Sequence, residues 1–199
     1  KPSIDLLASQ GGYANPQGIL MYKGDKIKYL CYTSEFYKTC TIQEPFINER
    51  VNTQLSSLLQ RQAEICKDQL IKEYGRKGYT VVGGNGLVAA KFRPHELNID
   101  YSAQFTITKQ STQTFKSISF SVKSELYDLL MLSTSILAYE VAYGDSETTL
   151  YIQYYPDISI EKVKLSDGSK IYTLKNVVSQ EYFRFASRSL SWPPGYGLE

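Results

Sequence analysis

The apolar period of this chain changes at Gly78, and that change constrains the fold more than any other feature. Ahead of it, Val51, Leu55, Leu58, Leu59, Ala63, Cys66 and Leu70 recur at helical spacing, with Cys66 on the stripe that faces a core. Pro45 suits a first helical turn, and Gly75 and Gly78 mark a stop. The spacing therefore predicts an unusually long helix over about 45–74, with a polar face along Asn52, Gln60 and Lys67. After Gly78 the period is two. Tyr79–Val82 and Leu87–Phe92 flank Gly83-Gly84-Asn85-Gly86 and read as strand, hairpin turn, strand. Leu97, Ile99, Tyr101, Ala103, Phe105 and Ile107 alternate with polar residues, and Phe115, Ile118, Phe120 and Val122 form the next strand.

A second helix is expected over about 124–143, with Ser124 as N-cap and Gly144 just past its end. Within it, Leu126–Ala142 is the longest apolar stretch, broken by Asp128, Ser133, Thr134, Ser135 and Glu140. It reads as a buried helix, since a membrane span needs about 18–20 unbroken apolar residues. Strands are expected again at Leu150–Tyr155, Ile158–Leu165 and Ile171–Leu174, the last two joined by Ser166-Asp167-Gly168-Ser169. Tyr182–Arg188 reads as a last strand or a short helix. Residues 1–30 carry Gly11-Gly12, Asn15-Pro16 and Lys23-Gly24-Asp25 and read as an extended arm, with a strand around Ile27–Tyr32. Residues 191–199 form a Pro/Gly-rich tail. The expected fold is α+β: one domain over 31–190, with two helices packed on an antiparallel sheet.

Composition narrows the function classes. The 199 residues are 42% hydrophobic and 21% charged, with a formal net charge of +2. That is globular usage, and the dispersed Lys and Arg lack the cationic face that phosphate binding requires, so nucleic acid is not an expected partner. Tyrosine is abundant, 17 against 8 Phe and 1 Trp. Tyr151, Tyr154, Tyr155, Tyr172, Tyr182, Trp192 and Tyr196 are the candidate interaction patch, set against the alternative of a Tyr-rich sheet face.

Cys31, Cys40 and Cys66 fit no zinc spacing. Tyr32–Thr39 can fold back to bring Cys31 to Cys40, a bridge worth roughly 3 kcal/mol, and a Cys40–Cys66 bridge would be worth slightly more. One thiol is left over in either case, and three reduced, buried thiols remain the alternative.

No catalytic, cofactor or metal pattern stands out. His95, the one histidine, follows Arg93-Pro94 between two strands without a nucleophile or carboxylate at a known spacing. Gly83–Gly86 leads into a strand, where a phosphate loop leads into a helix. Asp145, Glu147 and Asp157 are too dispersed for a calcium loop, and Ser187–Ser191 lacks the glycines of a nucleophile elbow.

Several strings carry a resemblance. They are Tyr29-Leu30-Cys31-Tyr32-Thr33, Cys40 ahead of Gln43-Glu44-Pro45-Phe46, the helix bearing Cys66, Tyr127-Asp128-Leu129-Leu130-Met131, and Pro193-Pro194-Gly195-Tyr196-Gly197. Together they resemble an uncharacterised archaeal family from small-genome lineages. Its members carry one N-terminal membrane helix, often with a pilin-like signal, ahead of an extracytoplasmic domain of this length. The resemblance implies envelope attachment and an oxidising compartment, and implies no activity. Lys1 opens the chain and Leu198-Glu199 looks like a cloning scar, so an excised piece of an anchored protein is expected.

The leading functional expectation is therefore a non-enzymatic, extracytoplasmic, membrane-anchored envelope protein that makes protein–protein or self-association contacts. The alternative is a binding module for a small or extended ligand in an aromatic cleft between the long helix and the sheet. A hydrolase without a recognisable motif stands third.

Overall fold

A computed structural model describes residues 2–190, and Trp192 and Tyr196 of the expected patch lie outside them. In chain order the elements begin with helix α1 (Pro2–Ser9), strands β1 (Ile19–Tyr22), β2 (Asp25–Tyr32) and β3 (Thr41–Ile42), and helix α2 (Ile47–Arg76). Strands β4 (Thr80–Gly83), β5 (Leu87–Arg93), β6 (Glu96–Ser102), β7 (Phe105–Thr108), β8 (Thr112–Phe115) and β9 (Ile118–Lys123) follow. Helices α3 (Leu126–Tyr143) and α4 (Thr149–Tyr154) and strands β10 (Ile158–Lys164), β11 (Ser169–Asn176) and β12 (Tyr182–Arg188) complete the described chain. The α+β class, the long helix and the helix ending at Gly144 are as the sequence predicts, with α2 beginning two residues later and ending two later than expected.

The principal sheet runs β1-β2-β12-β11-β10, with β3 added on β2. All its pairs are antiparallel except β12 on β2, which is parallel, with Ala186 opposite Tyr29. That pairing joins segments more than 150 residues apart, and no local pattern announces it. Helices α1, α3 and the first half of α2 cover one face, burying Leu30, Val51, Leu55, Leu129, Phe183 and Phe185. A smaller, separate cluster of Ile27, Tyr29, Ile171 and Ala186 is formed by β2, β11 and β12 of the same sheet.

The expected arm over 1–30 is part of the body. Leu7 and Ala8 of α1 are buried, and β1 and β2 form a hairpin paired from Ile19–Lys28 to Tyr22–Asp25. Gly12 makes this possible: its φ is +89°, and a Cβ there would lie 2.7 Å from Val51 Cγ2 on α2. The Tyr13 hydroxyl donates to Glu44 Oε2 at 2.5 Å, and the Ala14 N–H donates to Gln54 at 3.1 Å. Burial, aided by Glu44, pushes the Tyr13 hydroxyl pKa up to about 12. The punctuation at Gly11-Gly12 marks a close helix–helix approach that periodicity cannot distinguish from a loop.

Residues 80–123 form the second architectural unit. β4 pairs with β7 and β7 with β8, while β5 pairs with β6 and β6 with β9, all antiparallel. They amount to three long strands, 80–93, 96–108 and 112–123, each jogged in the middle. Gly83 stands opposite Phe105, but Leu87 stands opposite Ser102, so three residues oppose two across the jog. The expected hairpin turn at Gly83–Gly86 is thus a bulge, and the Gly84 N–H donates across it to Gln104 at 3.0 Å. The chain turns at Pro94-His95 instead, because β5 has a full seven-residue ladder with β6.

The expected strand at Leu150–Tyr155 is helix α4. Alternation of Tyr and Ile is only a preference for a pleated, paired surface, and this segment packs on β10 with the Tyr151 hydroxyl 2.8 Å from Ser135 Oγ on α3.

Candidate functional site

Helix α2 is about 45 Å long at 1.5 Å per residue, and it serves two units in succession. Its first apolar residues, Ile47, Val51 and Leu55, are buried in the principal core. Beyond them the helix runs along the outer edge of β5. Asn52 Oδ1 accepts from the Phe92 N–H, Ser56 Oγ from the Ala90 N–H and Gln60 Oε1 from the Val88 N–H, each at 2.9 Å. Gln60 also donates to the Gly86 carbonyl at 2.8 Å. Four helical residues rise about 6 Å and two strand residues about 6.7 Å, so a side chain every fourth position meets an edge N–H every second. The polar face of α2 expected over Asn52 and Gln60 is therefore a strand-edge seal.

Because α2 sits at the β5 edge, it leaves much of the sheet's apolar face uncovered. An open groove of about 270 Å³ lies between them. Leu59, Ala63, Cys66 and Leu70 of α2 form one wall, and Val88, Ile99, Tyr101 and Phe105 form the floor. Ile118 and Phe120 of β9 line the far side. Gly86 permits the floor to pack, since a Cβ at this position would fall 2.6 Å from both the Tyr101 ring and Ala103. At one end the Tyr101 hydroxyl donates to Glu64 at 3.2 Å, and Lys67 bridges Glu64 and Asn85 at 2.5 and 3.2 Å. Burial, then the Glu64 carboxylate, raises the Tyr101 pKa. Cys66, expected on the buried face, is exposed in this groove, where no described residue covers the second half of the apolar stripe.

The groove opens onto β9, whose six residues are all exposed: Ile118 at 43%, Phe120 at 52% and Val122 at 43% on the apolar side. These residues were legible as a strand, but not as a surface. The signal available was the alternation of three apolar residues with serine, which does not reveal whether a helix lies above it.

The expected tyrosine patch does not form one surface. Tyr172 is fully buried and stacked on Phe185 at 5.3 Å. Its hydroxyl donates to Glu140, and burial raises its pKa strongly, with Glu140 adding to the shift. Tyr182 is half-buried on β12 beside Arg184. Tyr154 and Tyr155 are exposed at the end of α4, and Tyr151 is half-buried against Tyr139 at 6.5 Å.

Cys31 and Cys40 are bonded, with Cα atoms 5.4 Å apart, and Thr41-Ile42 pairs back on Tyr32 and Cys31. The Cys40 N–H donates to Ser189 Oγ, and Ser189 Oγ donates to the Glu140 carbonyl. Glu140 itself is fully buried. It accepts two bonds from Lys170 Nζ at 3.0 and 2.9 Å and one from Ser187 at 2.9 Å. This pair ties α3 to β11 and β12.

His95 sits at φ +62° in the β5–β6 turn. Its Nδ1 lies 2.8 Å from Glu125 and 3.7 Å from Asp128, both at the start of α3. The Glu125 hydrogen bond, then the two negative charges, raises the imidazole pKa. The trio has the residue types of a cation site, with ligand atoms within 4.8 Å of one another, and His95 Nδ1 is hydrogen-bonded to Glu125. Ser124, the nearest hydroxyl in sequence, donates instead to Glu181 at 2.9 Å.

Comparison with protein-family models, curated proteins and solved structures finds no match. The class that fold and site define is a disulfide-containing α+β domain with an uncovered apolar sheet face. The disulfide is compatible with an oxidising compartment. Among the described residues, no helix is long and apolar enough to cross a membrane.

Proposed function

We propose that the chain is the extracytoplasmic domain of an envelope protein, held to the membrane by an N-terminal anchor. Its role is to dock a protein partner on the apolar face beside α2. The observation that carries this reading is the exposure of Ile118, Phe120 and Val122 in continuity with the groove. Exposed apolar surface of this kind weakens solubility unless a partner covers it. The Cys31–Cys40 bridge supports the compartment.

A second reading, an apolar small molecule in the same groove, is favoured by the apolar walls. At about 270 Å³ the groove is smaller than the roughly 300–1,000 Å³ of ligand pockets. It suits a few inserted side chains better than an enclosed ligand.

Two measurements test the proposal in the cells that make the protein. In a Cys66→Ser chain carrying Lys91→Cys, on the face away from the groove, a membrane-impermeant maleimide should label position 91 in intact cells, and labelling only after lysis overturns the extracytoplasmic placement. A photo-crosslinking amino acid at Ile118 should capture a discrete protein species, while one at Lys91, on the polar face, should not. Equal or absent capture at the two positions overturns the docking role.

A further inference from the structure

The two outer edges of the 80–123 sheet are treated differently. On β5, three α2 side chains occupy successive edge N–H groups. On β9, pairing is with β6 alone, and among the described residues no other group bonds the outer edge. Exposed edges are ordinarily blunted by charge, proline or a bulge. β9 carries one charge, Lys123 at its end, and the run Ile118-Ser119-Phe120-Ser121-Val122 ahead of it has none of these.

The sequence of β9 is also complementary to itself. Antiparallel pairing centred on Phe120 sets Ile118 against Val122, Phe120 against Phe120 and Ser119 against Ser121. Lys116 and Lys123 then face Ser124 and Ser117. Shifting the centre to Ser119 puts Val122 opposite Lys116, and shifting it to Ser121 leaves Ile118 opposite Ser124. Only the Phe120-centred register of these three matches every apolar residue with another and keeps the lysines apart.

We infer that β9 is a self-association edge. Two copies of this chain pair β9 to β9 about a two-fold axis through Phe120. The result is a continuous sheet, β5-β6-β9-β9-β6-β5, with both α2 helices on one face. The two-fold closes the assembly, so pairing ends at two copies. The two grooves join across a common floor of Ile118, Phe120 and Val122 from each chain. This inference rests on the docking reading above: a second copy joins at the edge of the apolar face, and the joined face stays open to the protein partner.

The test uses the full chain with Cys66→Ser. Directly opposed residues in an antiparallel pair have Cα atoms about 4.5–5.5 Å apart, within disulfide range. Phe120→Cys should therefore give a disulfide-linked dimer as the main product of air oxidation, and Lys91→Cys should not. Independently, sedimentation of the unmodified chain should show a monomer–dimer equilibrium, weakened about tenfold or more by Phe120→Lys. Phe120 is half-exposed, so at concentrations low enough for both chains to be monomeric the variant should melt close to the unmodified chain. A strictly monomeric chain, a dimer indifferent to Phe120→Lys, or equal cross-linking at 120 and 91 overturns the inference. If the chain is monomeric yet a crosslinker at Ile118 captures a different protein, the docking reading stands without self-association. If neither occurs, both fall.

Discussion

Asn52 on α2 accepts the backbone N–H of Phe92 on β5 at 2.9 Å, the first of three such bonds repeated by Ser56 and Gln60. A helix here takes the place of a fourth strand, satisfying the edge with side chains while keeping its own backbone ladder intact.

Replacing Asn52 with Ala leaves the Phe92 N–H without its partner at a part-buried position. The expected cost is about 1–3 kcal/mol, and Gln60→Ala should cost at least as much because it loses bonds to the Val88 N–H, the Gly86 carbonyl and Glu64. Urea denaturation followed by far-UV circular dichroism measures this. Stabilities equal to wild type would mean that water replaces these bonds freely.

Glu140→Gln removes the charge opposite Lys170 in a site where both groups are buried. The expected loss is about 3–5 kcal/mol, from breaking one half of a buried pair. Replacing Glu140 and Lys170 together by apolar residues should recover only the part due to the unpaired lysine, since the buried Tyr172 and Ser187 hydroxyls still lose their acceptor. A double-mutant cycle on thermal or chemical unfolding gives the answer, and an additive result would contradict direct coupling.

His95 should titrate above its ordinary 6.5, because protonation is favoured by Glu125 and Asp128. Its contribution to stability is then fully present below about 6.5 and fades as pH rises through the raised folded value. Glu125→Gln should move the pKa back toward 6.5. Proton NMR of the single imidazole reports both, and an unshifted wild-type resonance would refute the Glu125 contact.

Intact mass should fall by two hydrogens relative to the fully reduced chain, with Cys66 alone alkylated before reduction. Reducing the Cys31–Cys40 bond should cost roughly 3 kcal/mol. Three reactive thiols after purification in air would remove the physical support for an oxidising compartment.

What could be read from the sequence follows the range of the signals. The 3.6-residue stripe from Val51 to Leu70 located α2, and Gly144 located the end of α3, because both are local regularities. Most strands are equally local and legible, apart from the short β1 and β3 and from Leu150–Tyr155, which folds as α4 against β10. Partnership was not local. Nothing near Gly83–Gly86 states that β4 pairs with β7 and not with β5, and nothing near Tyr29 states that Ala186 will lie beside it. The stripe places Cys66 on a buried face only where something covers it, and its second half borders the open groove. The Tyr patch failed for a related reason, since Tyr172 and Tyr154 differ only in what packs above them.

The Asn52, Ser56 and Gln60 rungs also determine how the molecule bears load. A pull along the β5 direction strains all three rungs together, as rivets in a lap joint are strained, whereas a pull at right angles would peel them one by one. Traction delivered to the 80–123 sheet along its strands therefore passes into α2 in shear and on to the principal core, where the helix is rooted by Ile47, Val51 and Leu55. A domain built this way resists being drawn lengthwise far better than being pried open from the side.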